Sequence, residues 1–113
     1  ITDRTVFVLG RNIYTKYKLA YPLFAHEIVH CDQQNYSLTK GLIWWYRYLT
    51  DRGFRLEQET EAYQFQFRTF CKEEKDRNRR AVYLNELSGQ LSSPLYGNLI
   101  NKKKAHEEIK NGT

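Results

Sequence analysis

The chain has 113 residues, 41% hydrophobic and 27% charged, with a formal net charge of +5, six glycines and two prolines. That size holds one modest core, and the composition favours neither a disordered chain nor a loop-rich scaffold. No apolar run reaches the roughly 18 to 20 residues of a membrane-spanning helix, no charged-then-apolar leader opens the sequence, and Cys31 and Cys71 form neither a CxxC pattern nor a disulfide framework. The expectation is one α+β, mainly α-helical domain over residues 1–113, with its core over 5–100 and a terminal helix over 101–111. It should be soluble, without a membrane partner, and cytoplasmic rather than secreted.

The first predicted element is a short N-terminal β element within "TVFVLGRNIYT": a β-rich run from Thr5 to Leu9, a break at Gly10, and a second run from Ile13 to Thr15. Pro22 suits the first turn of a helix, where its missing N–H costs nothing, and that helix should run to Gln34. A second helix is expected from Ser37 or Leu38 through "GLIWWYRYL", with Gly53 as its cap. The stretch from Arg55 to Arg77 has no Pro or Gly and predicts a long third helix. "RRAVYLNEL" predicts a fourth ending at Gly89, "SSPLYG" a polar break, and "KKKAHEEIK" a last helix before a frayed "NGT".

The first helix carries "HEIVH". At about 100° per residue, His26 and His30 project from one face one turn apart, with Glu27 at their flank. Two imidazoles at that spacing can grip one zinc ion, and a carboxylate beside the metal can take a proton from water, which makes Glu27 the candidate general base. Phe24, Ile28 and Cys31 follow core spacing on the other side, so Cys31 reads as a packing thiol. Gln33 returns to the histidine face, where it can orient a ligand or meet substrate.

A zinc ion held by two histidines needs a further protein ligand. The remaining His106 lies in a charge-rich terminal segment, and the third helix offers Glu57, Glu59 and Glu61. On a helical wheel, Leu56, Tyr63, Phe67, Phe70 and Cys71 form an apolar stripe with Ala62 at its edge; Glu59 falls inside it and the other two glutamates near the opposite side. A carboxylate on a packing face must meet a cation or donors. A metal at His26 and His30 supplies one; an arginine is the alternative partner.

The combination of HExxH, read here as "HEIVHCDQ", with a later "ETEAY" resembles the gluzincin metallopeptidases, and more closely the minimal gluzincin-like domains encoded in bacterial and phage genomes. The resemblance spans residues 5–70 and, weakly, "SSPLYG". It implies a zincin-like helical core, Zn2+ held by His26, His30 and Glu59, hydrolysis of a peptide or protein substrate with Glu27 as base, and, for a phage protein, association with a virion. Tyr63 stands where that group has an aspartate that holds a zinc-binding histidine, which puts a weaker acceptor in that role. Gluzincins often add a Tyr or His donor to the developing oxyanion; among the tyrosines here, Tyr96 in "SSPLYG" is the choice, because a loop between helices can reach over a cleft.

Two other readings compete. A metal could hold two helices together without turnover, a natural use in a small chain. The basic clusters at Arg77, Arg79 and Arg80 and at Lys102 to Lys104, with Arg47 and Arg52 among the aromatics of the second helix, could bind nucleic acid. Solvated helix ends and packing of Trp44, Trp45, Tyr46 and Tyr48 against the zinc helices account for the same residues.

Overall fold

The computed structural model describes residues 6–16 and 18–112. A two-stranded antiparallel hairpin, β1 (Phe7–Leu9) and β2 (Asn12–Tyr14), pairs Val8 with Ile13 and turns at Gly10, whose φ of 62° suits a residue without Cβ. Five helices follow: α1 (Tyr21–Gln33), α2 (Leu38–Thr50), α3 (Arg52–Glu73), α4 (Arg77–Leu91) and α5 (Lys102–Asn111), with a 3-10 turn at Pro94–Tyr96. The architecture is the expected mainly helical α+β fold. Thr5, the predicted start of the first strand, lies outside the described residues.

Side-chain caps explain where the boundaries depart from expectation. Asp51 ends α2 and, by accepting from the Phe54 N–H at 3.0 Å, also starts α3, so Gly53 is in the first turn of α3 and does not cap α2. Asp76 accepts from the N–H groups of Asn78 and Arg79, which starts α4 at Arg77 and makes α3 stop at Glu73. Gly89, the predicted end of α4, is inside it, because the helix gains more from burying Leu91 than a single glycine costs.

α3 is the central element. Its Tyr63 and Phe67 pack with Leu84, Leu87 and Leu91 of α4 and with Ala105 and Ile109 of α5. On its other side it meets α1. Here one expectation fails: the histidine side of α1 is buried along with Cys31, while Phe24 is 43% exposed. The cause is that α1 leans its polar residues onto Glu59 of α3, leaving Phe24 beyond the contact. Tyr46, also expected to pack, is 70% exposed, whereas Trp44 is buried and Trp45 stacks on Phe7 of the hairpin at 4.9 Å.

The hairpin is fastened by one fully buried amide. Gln34 accepts from the Gly10 N–H at 2.6 Å and donates to the Val8 carbonyl at 3.1 Å, and the same carbonyl takes the Trp45 indole N–H at 2.6 Å. Replacing Gln34 with Leu strands the Gly10 donor in the interior, so urea denaturation should show a loss of about 1–3 kcal/mol.

Candidate metal centre

His26 and His30 stand one turn apart on α1, and α3 brings Glu59 against both. The Nε2 atoms of His26 and His30 lie 3.2 and 3.1 Å from Oε1 of Glu59, and all three side chains are more than nine-tenths buried. Their donor atoms lie within 4.8 Å of one another. A four-coordinate ion with bonds of about 2.1 Å sets neighbouring donors roughly 3.4 Å apart, so two imidazole nitrogens and a carboxylate oxygen at these separations fit a metal ion.

The outer hydrogen bonds support the same conclusion. The Gln33 amide nitrogen donates to the Gln58 carbonyl and to Glu61, both acceptors only, so its Oε1 must face His30 and accept from Nδ1–H at 2.8 Å. His30 therefore carries a proton on Nδ1 and turns Nε2 toward Glu59, where that nitrogen can hold a second proton or a metal ion. His26 has the same arrangement with Gln66, 2.8 Å from Nδ1, whose amide nitrogen donates to the Tyr83 hydroxyl. Lone pairs facing a carboxylate repel unless a proton or a metal ion stands between them.

Tyr48 of α2 supplies the remaining contact, its hydroxyl donating to Oε2 of Glu59 at 2.5 Å. Sequence reasoning offered Tyr48 packing or nucleic-acid stacking but no part in the metal group, and the link depends on how α2 crosses α3. Gln66 was also missed, although it follows Glu59 by seven residues and so lies on the same buried face, where the wheel argument applies equally. Tyr63 does not hold His26 through a hydrogen bond: the two rings meet edge to face with centroids 4.5 Å apart, and the Tyr63 hydroxyl pairs with that of Tyr96 at 2.8 Å. Its phenol reaches past the histidine, and the shorter Gln66 takes the bond instead. Glu57 and Glu61 are exposed, as the wheel requires, and His106 is on α5, outside this group.

Glu27 is buried beside the three donors, and no described residue donates a hydrogen bond to its carboxylate. Burial raises its pKa above the ordinary value, with His26 and His30 partly opposing. Together with His26, His30 and Glu59 it lines a cavity of about 890 Å3, whose walls include Val8, Trp44, Tyr48, Tyr63, Leu95 and Tyr96. Burial also drives the Tyr48, Tyr63 and Tyr96 hydroxyls well above the usual tyrosine range, so all three are protonated donors at neutral pH.

Comparison with protein-family models, curated proteins and solved structures yields no match, so the reading of this centre rests on its own residues.

The electrostatics of the metal-free site predict its pH dependence. Burial opposes charge on His30, but the Glu59 carboxylate outweighs it and lifts the pKa to about 9, while the histidines hold Glu59 well below the carboxylate range against its own desolvation. The stabilisation from His30 is therefore complete below about 6.5 and fades as pH rises through about 9. A metal must displace this proton. Divalent-metal affinity should rise about tenfold per pH unit up to that point, with about one proton released at pH 7 from His30, measurable by calorimetry in buffers of different ionisation enthalpy. Glu59→Ala should weaken binding by more than the roughly 10- to 100-fold that outer partners contribute, and Glu57→Ala should not change it.

Proposed function

We propose that this chain is a zinc-dependent metallopeptidase of the gluzincin type, acting on a peptide or protein substrate. The observation that carries the proposal is the placement of a buried carboxylate, Glu27, beside a two-histidine, one-glutamate group on the wall of a cavity large enough for a substrate segment. Two nitrogens and one oxygen are the donor set of a catalytic zinc with a position left for water or substrate. Zinc bound there supplies a water of lowered pKa and polarises the carbonyl to be attacked.

The chain's own residues account for the rest. Glu27, a carboxylate on the cavity wall beside the three donors, is placed to take the proton of the attacking water and return it to the leaving amine. Tyr96 shares the cavity and stays protonated, which fits it to donate to the developing oxyanion, with Tyr63 bonded behind it. Gln33 and Gln66 hold the two imidazoles in the tautomer that ligation requires.

A metal serving only to join α1 to α3 would need neither the cavity nor a carboxylate beside it. For nucleic-acid binding the basic clusters are partly committed elsewhere: Arg80 donates to the Glu74 and Cys71 carbonyls, Arg79 meets Glu74 at 3.4 Å, and Lys104 lies 3.9 Å from Glu108. Among the described residues no helix is long and apolar enough to cross a membrane.

Glu27→Gln separates base from ligand. The variant should bind zinc with unchanged stoichiometry and lose peptide hydrolysis by about a hundredfold or more. Loss of the metal with this change would remove Glu27 from the role of base.

A further inference from the structure

Arg55 has no place in the sequence motif, yet it bonds three carbonyls in two segments that converge on the site. Its Nε donates to the Tyr48 carbonyl at 2.7 Å, Nη2 to the Leu49 carbonyl at 3.2 Å, and Nη1 to the Tyr96 carbonyl at 2.9 Å. The first two acceptors are in the last turn of α2, where helical carbonyls lack partners and an arginine is a common cap. The third belongs to the 3-10 turn between α4 and α5, and a helix cap gives no reason for it.

The three contacts share a destination. Tyr48 gives its hydroxyl to Glu59, and Glu59 follows Arg55 by one turn of α3. Two successive turns of one helix thus grip the backbone and the hydroxyl of the same tyrosine. Tyr96, held by the other arm of the guanidinium, brings its hydroxyl to the Tyr63 pair on the cavity wall. Space for that arm depends on Gly97: a Cβ there would lie 3.1 Å from Nη1 of Arg55, and the backbone φ of 89° disfavours any other residue.

We infer that Arg55 is a positioning residue that fixes the hydroxyls of Tyr48 and Tyr96 in the site, an inference that rests on the zinc reading above. Lysine cannot replace it, since a point ammonium lacks the guanidinium's fork of separate N–H donors that reaches three carbonyls. Tyr48 in turn ties up Oε2 of Glu59 and leaves Oε1 for the metal.

The test is a double-mutant cycle on zinc affinity, measured by chelator competition with the full chain. Arg55→Lys and Tyr48→Phe are each expected to weaken zinc binding by about tenfold, and the double variant to bind no more weakly than Tyr48→Phe alone. Additive losses, or a lowered Tm with zinc affinity unchanged in Arg55→Lys, would reduce Arg55 to a helix cap and overturn the inference. Gly97→Ala, which crowds Nη1 without altering α2, should weaken zinc binding in the same direction; unchanged affinity there also counts against it. An unmodified protein that binds no zinc overturns the zinc reading itself, and a wild type that binds zinc with an unresponsive Arg55 overturns only this inference.

Discussion

The structure depends on keeping the Glu59 carboxylate charged inside the protein. Desolvating an unpaired carboxylate costs more than a domain of this size can spare, so its surroundings must supply compensation. The protonated His30 imidazole of α1 and the Tyr48 hydroxyl of α2 both reach this residue of α3, with Nε2 of His26 beside them. This constraint draws the polar face of α1 inward, sets α2 across α3, and leaves Phe24 in solvent. The proton on His30 balances the charge, and a metal ion held by the same three donors would balance it instead.

The outer partners of the ligands are neutral. Gln33 and Gln66 orient the histidines and a tyrosine holds the glutamate, where a carboxylate would place a second negative charge near the metal. Glutamine also gives a directional answer, because each amide nitrogen is committed elsewhere and each oxygen is turned to an Nδ1. Orientation is thereby built into the polypeptide before any ion arrives.

Much of this was legible in the sequence because it follows from periodicity. The HExxH spacing places His26, Glu27 and His30 together on any helix, and the wheel isolates Glu59 from Glu57 and Glu61 because only one of them shares the meridian of Tyr63 and Phe67. The same wheel holds Gln66 on the buried face, although its bond to His26 depends on how α1 meets α3. What periodicity cannot give is the meeting of separate helices: the reach of Tyr48 to Glu59, the three-way grip of Arg55 and the exposure of Phe24 follow from crossing geometry. Boundaries at Gly53 and Gly89 were misread for another reason, since capping aspartates at positions 51 and 76 and burial of Leu91 outweighed the local preference of glycine.

The most direct test of the account is zinc-edge X-ray absorption on the protein carrying one equivalent of zinc. The account predicts a sphere of two imidazoles with oxygen donors at about 2.0–2.2 Å and no sulfur, because Cys31 packs away from the site and Glu59 supplies the third protein ligand. A sulfur neighbour at about 2.3 Å, or a single histidine in the sphere, would contradict it.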